Sequence, residues 1–161
     1  HFEGPAAVRY PRGTGPNARL EPGLEPLEIG KAVMRREGKQ VALLVFGVQL
    51  PEAMQVAEAL DATVVDMRFV KPLDEAMVRQ MADSHDLLVT IEENSIMGGA
   101  GSAVGEFLAS QNLSTPILHL GLPDYYVEHA KPTEMIKECG LDAAGIEAAV
   151  RARLADLHSR S

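Results

Sequence analysis

Three arginines, Arg9, Arg12 and Arg19, fall within "AAVRYPRGTGPNARL" (residues 6–20) of a chain whose formal net charge is -8. Arg12 differs from the other two. Pro11 fixes the backbone before it and Gly13 follows directly, so its guanidinium stands on a stiff, closely approachable turn and not on a helix surface. That presentation suits bidentate binding of a phosphate or carboxylate; an arginine that ties a linker to its domain fits the same residues. The second constellation is "TIEENSIMGGAGSAVG" (residues 90–105), with Glu92 and Glu93 at the carboxyl end of a strand and Gly98, Gly99 and Gly101 just before a helix. Ligands bind at the carboxyl ends of strands in open parallel sheets, and helix N-termini attract anions. A dinucleotide-binding module is therefore one reading. The spacing Gly99, Gly101, Gly105 is one residue longer than the usual fingerprint, and Gly99 stands six positions after Glu93 where the fingerprint turns at once. The competing reading gives the glycines a tight turn and close packing against a neighbouring subunit, with the glutamates capping or pairing locally.

Other chemistries find little support. His85, His119 and His129 lie in separate segments without metal-ligand spacing. No G-x-S-x-G elbow and no G-x-x-x-x-G-K-[ST] loop occurs, which removes hydrolase and P-loop readings. "DMRFVKPLD" (66–74) sets Arg68 and Lys71 beside two aspartates, a salt-bridged loop in which Arg68 could face an interface. Cys139 is the single cysteine, has no histidine near it in sequence, and reads as structural in a reducing, cytoplasmic compartment. The acidic balance argues against broad nucleic-acid binding. The longest uninterrupted apolar run, "VALLVF", is far short of the roughly 20 residues a bilayer span needs, and "HFEGP" carries no signal-peptide core, so no membrane partner is expected.

These residues must be positioned by an alternation of strands and helices. "VALLVF" (41–46) reads as a buried strand, Pro51 opens a helix in which Met54, Ala57 and Leu60, or Val56 and Leu60, share a face, and "ATVVD" (62–66) is the next strand. Asp74 is placed to cap a helix carrying Met77, Val78 and Met81 on one side. "DLLVTI" and "GSAVGEFLASQ" repeat the pattern; "PILHL" and helices in "TEMIKECG" and "LDAAGIEAAVRARLADL" close it. Such alternation specifies an α/β fold, a mostly parallel, doubly wound sheet with helices on both faces, over residues 25–161. Residues 1–24 do not share the pattern: "AAVRY" could be a strand, and the Pro/Gly-rich stretch after it is an extended linker. One strand cannot bury both faces alone, so its partners are expected from the end of a preceding domain.

"VRYPRG", "LPEAMQVAEAL", "ATVVDMRFVKPLD", "EENSIMGGAGSAV", "LGLPDYYVEH" and "CGLDAAGIEAAV" follow one another in this order and at these spacings. Together they resemble the C-terminal quarter of the bacterial 1-deoxy-D-xylulose-5-phosphate synthase family, transketolase-like thiamine diphosphate enzymes, over nearly the whole chain. The resemblance implies a five-stranded transketolase-type C-terminal domain at 25–161, with 1–24 as the last strand of a pyrimidine-binding domain plus linker. It implies a transferase that condenses pyruvate with glyceraldehyde 3-phosphate, with loss of carbon dioxide, in isoprenoid and thiamine biosynthesis. Thiamine diphosphate and Mg2+ would be bound by the N-terminal portion of the same enzyme, since this chain has neither a G-D-G…N stretch nor the glutamate-bearing segment that activates the cofactor. No catalytic, cofactor-binding or metal-binding residue is then expected here, and Arg12, the arginine of the Y-P-R-G motif, would contact the acceptor's phosphate. The implied partners are that N-terminal portion and a second copy in a homodimer; the alternative is an isolated, non-catalytic dimerisation domain.

Overall fold

The computed structural model describes residues 2–11, 23 and 25–160. Among them are five strands, β1 (Val33–Arg36), β2 (Val41–Phe46), β3 (Ala62–Asp66), β4 (Leu87–Ser95) and β5 (Ile117–Leu122). Five helices accompany them: α1 (Leu50–Ala57), α2 (Glu75–Ser84), α3 (Ala100–Ser110), α4 (Pro132–Glu138) and α5 (Ala143–Ser159). The sheet order is β1-β3-β2-β4-β5, parallel except for β1, which pairs antiparallel with β3 at the edge. The doubly wound, mostly parallel sheet expected from sequence is therefore present.

The all-apolar run of β2 is buried at every position because both its faces are covered. Val41, Leu43 and Val45 join Val89, Ile91 and residues of α1 and α5 in one core, while Ala42, Leu44 and Phe46 meet Val78, Met81, Val104 and Phe107 of α2 and α3 in the other. Successive side chains of a strand point to opposite faces, so six residues feed two cores. Each fully buried Leu or Val stabilises the fold by about 1.5–3 kcal/mol, which makes β2 the axis on which the layers depend.

Local signals behave as sequence chemistry predicts. Asp74 caps α2 by accepting from Met77 N at 3.1 Å, and its other oxygen accepts from Ala32 N at 2.9 Å, tying the segment before β1 to the domain. Asp142 caps α5 through Gly145 N at 2.9 Å. In α1 the buried face is Ala53, Val56 and Ala57, followed by Leu60, and Met54 faces outward, which selects the second of the two expected stripes. Residues 6–10 form no ladder in this chain, whose described residues offer them no partner strand, and Val8 and Tyr10 are exposed.

Candidate functional site: the end of β4 and the N-terminal strap

The strand order reverses direction around β2, so the crevice of this sheet opens between the carboxyl ends of β2 and β4. β4 continues through "EENS", with Phe46 opposite Glu92 and a register shift against β5 between Ile91 and Ser95. Glu92 and Glu93 thus stand within the strand's last turnout, one peptide apart and on opposite sides of it.

Glu92 is 3% exposed and turns inward. Its Oε2 accepts from Ala100 N and its Oε1 from Gly101 N, both at 2.8 Å, at the start of α3. The N-cap position of that helix is Gly99, which has no side chain to offer, so a carboxylate from the sheet satisfies the orphan donors instead. Glycine is required for that approach: a Cβ at Gly99 would lie 2.5 Å from both Glu92 oxygens and run into Ser95 O. At Gly101 a Cβ would collide with Thr90 Oγ1 and lie 2.8 Å from His119 Nδ1. Gly98, at φ +71°, makes the turn, where Ser102 Oγ accepts from its N–H at 3.1 Å. The glycine cluster packs a helix onto its own sheet. The anion position at the helix N-terminus is taken by the chain's own carboxylate, which sets aside a dinucleotide-binding role.

His119 completes this buried corner. Its Nδ1 lies 2.7 Å from Thr90 Oγ1, and burial pushes its pKa below the ordinary histidine value, with the charge of Glu92 opposing that shift. His85 is held structurally between Thr63 Oγ1 at 2.7 Å and the end of α2, and His129 is exposed. Cys139 is a free thiol in the wall of an open groove of about 700 Å3, with Glu93, Leu122, Tyr125, Tyr126 and Met135. Burial, then the neighbouring Glu138, raises its pKa, so the thiolate is disfavoured.

Glu93 faces the other way. Arg9 Nη2 donates to Glu93 O at 3.0 Å and lies 4.0 Å from Glu93 Oε1, which fastens the N-terminal strap, residues 5–11, to the end of β4. Arg12 and Arg19 lie outside the described residues. Arg68, half-buried at φ +60°, has no hydrogen bond or ion pair among the described residues; the aspartates of its segment pair elsewhere, Asp66 with Arg35 at 2.7 Å. No three His, Cys, Asp or Glu gather as a metal-ligand set among the described residues.

A family model for the transketolase C-terminal domain matches residues 30–146. The chain belongs to that family. This transketolase C-terminal domain is 80% identical over 157 residues to the 1-deoxy-D-xylulose-5-phosphate synthase of Stutzerimonas stutzeri, covering 98% of the chain and 25% of that protein. The synthase of Pseudomonas aeruginosa (strain LESB58) is 77% identical over 153 residues, covering 95% of the chain and 24% of that protein. The chain therefore spans about a quarter of the length of the curated relatives it matches. Among solved structures, "Split gene transketolase, inactive beta4 tetramer" aligns with a TM-score of 0.70 and 32% identity over 89% of this chain and 46% of that one. The transketolase C-terminal fold accounts for all five strands, including the antiparallel edge strand β1 that residue patterning alone does not reveal.

Proposed function

We propose that this chain is the C-terminal part of a 1-deoxy-D-xylulose-5-phosphate synthase, which joins pyruvate to glyceraldehyde 3-phosphate and releases carbon dioxide. The observation that carries the reading is 80% identity to a protein of that name across 98% of the chain. In this reading residues 1–24 are the last strand of the pyrimidine-binding domain plus linker, and 25–161 are the third domain of a cytoplasmic homodimer. No described helix is long and apolar enough to cross a membrane.

Thiamine diphosphate supplies the chemistry of decarboxylation and carbon–carbon bond formation in such an enzyme. The described residues do not fit it or its Mg2+: their carboxylates are not gathered as a ligand set, and Glu92 is committed to α3. The cofactor's seat belongs to the N-terminal portion, and what this chain brings to the reaction is Arg12. A guanidinium between Pro11 and Gly13 binds the acceptor's phosphate bidentately and orients the aldehyde. Loss of a hydrogen bond to a charged group costs about 1.5–3 kcal/mol. In the assembled enzyme Arg12→Ala raises KM for the phosphorylated aldehyde by about ten- to a hundredfold and barely affects an unphosphorylated acceptor. Steady-state kinetics with glyceraldehyde 3-phosphate and glyceraldehyde check this; equal losses on both overturn the phosphate role.

A second reading, a non-catalytic module that assembles through this domain alone, is favoured by one observation: the similar solved structure is an inactive tetramer of a split-gene transketolase. Cofactor retention by a complex of this chain separates the two.

A further inference from the structure

We propose that the carboxyl edge of the sheet is the surface on which this domain docks against the N-terminal portion of the synthase. The inference rests on the synthase reading above and adds to it where, and through which groups, the two portions meet.

The large apolar side chains that the fold leaves in water gather at that edge. Four loops follow the carboxyl ends of the parallel strands, and each carries at least one: Val48 after β2, Val70 after β3, Met97 after β4, and Tyr126, with Tyr125 beside it, after β5. Met97 is 75% exposed and Tyr126 fully so. Leu27 and Ile29, in the segment that leads into β1, add two more. Among the described residues beyond Pro11, Met54 of α1 is the one exposed large apolar side chain that lies elsewhere. The turns at the opposite edge, 37–40, 58–61, 85–86 and 111–116, expose none. Single apolar residues scattered over a surface are ordinary, whereas a patch gathered on one edge marks a contact.

Chain direction identifies the occupant. β1 runs antiparallel, with Val33 opposite Asp66, so its first residue stands beside the last residue of β3 and the polypeptide enters the domain at the carboxyl edge. The entering segment lies on the β3–α2 loop: Ala32 N donates to Asp74 Oδ2 at 2.9 Å, and a Cβ on Gly30 would stand 2.8 Å from Pro72 Cγ. The chain spans about a quarter of the length of its relatives, so most of such a synthase lies outside it, tethered on this side. A domain joined there meets the apolar edge at the high effective concentration of an intramolecular partner, and a second copy has no such tether. Arg68 gives the surface its polar point. It stands in the β3–α2 loop, half-buried at φ +60°, a costly backbone for a residue with a side chain, and its guanidinium has no hydrogen bond or ion pair among the described residues. An acidic group of the docked portion answers it, inside a ring of apolar contacts that excludes water.

The test uses the complete synthase that carries these residues, with Val70, Met97 or Tyr126 replaced in turn by the photo-crosslinking residue p-benzoylphenylalanine. The same probe at Lys39 or Ser114, both exposed at the amino edge, is the control. Irradiation is expected to join each carboxyl-edge probe to peptides N-terminal to His1, and the control probes to none of them. Equal crosslinking from both edges, no crosslinks from the carboxyl edge, or crosslinks found only in covalent dimers joined through residues 25–161 overturn the docking surface. Hydrogen exchange reads the same contact without a probe: Arg68→Glu and Met97→Asp are expected to speed amide exchange in the β3–α2 and β4–α3 loops by about tenfold, and Lys39→Glu to leave it unchanged. Exchange that responds to none of the three overturns the proposal too. An unaltered complete chain that forms no 1-deoxy-D-xylulose 5-phosphate from pyruvate and glyceraldehyde 3-phosphate overturns the synthase reading itself; an active one without carboxyl-edge crosslinks overturns the docking surface alone.

Discussion

The corner where β4 meets α3 and the strap that lies against the outer side of the same strand treat their polar groups in opposite ways. In the corner, Glu92, the first N–H groups of α3, Thr90 and His119 satisfy one another behind glycines that admit no side chain. Along the strap, Arg9 stands on exposed backbone and reaches back to Glu93. Two adjacent glutamates therefore serve two purposes, one closing a helix end and one mooring an exposed neighbouring segment. The difference separates a closed corner from an open one: the Glu92 carboxylate is saturated by the chain's own N–H groups, whereas the exposed Arg9 guanidinium, with one N–H donated to Glu93, keeps donors for another group.

The largest way to break that comparison is at Glu92. Replacing it by alanine strands two buried N–H donors, and Glu92→Ala is expected to destabilise the fold by about 2–4 kcal/mol. Urea unfolding measures it, and a midpoint unchanged from the parent chain means that the carboxylate is not a structural cap. Next comes Gly101→Ala, whose Cβ would enter the Thr90–His119 pair. Alanine gains helix propensity of at most about 1 kcal/mol, less than the overpacking it causes, so a net loss of about 1–3 kcal/mol is expected in the same assay. A neutral or stabilising result would show the corner to be loosely packed.

The smallest effect sharpens the comparison through pH. Burial lowers the pKa of His119 in the folded state, so the unfolded chain binds more protons at that residue between the folded value and the ordinary 6.5. The neutral ring's contribution is complete above about pH 6.5 and is lost as pH falls through the folded value. His119→Gln should flatten the fall in stability on acidification below 6.5 relative to the parent chain, measured by denaturation at a series of pH values. Parallel curves would place the histidine in water.

Much of this was legible in the residues, and the exceptions share a cause. "VALLVF" announced a strand buried on both faces, and Asp74 announced its helix, because composition and a three-residue capping offset are local signals. β1 has no such signal: "VMRR" is four residues long, half of it arginine, and it becomes a strand only by pairing antiparallel with β3 at the sheet's edge. Capping or local pairing is one of the two readings the glutamate pair itself offers, beside a ligand site at the strand's end. Which did which was hidden, since Glu92 caps from eight and nine residues away and Arg9 meets Glu93 across 84 positions. Contacts made by tertiary approach leave no period in the sequence.

Native mass spectrometry of this chain with the N-terminal portion of the synthase, thiamine diphosphate and Mg2+ tests most directly whether the chain is one part of a two-part catalytic unit. A complex containing both polypeptides and the mass of the cofactor is the predicted result. Free 17.3 kDa chains or their bare dimers, with no cofactor retained, would contradict it and leave a structural module.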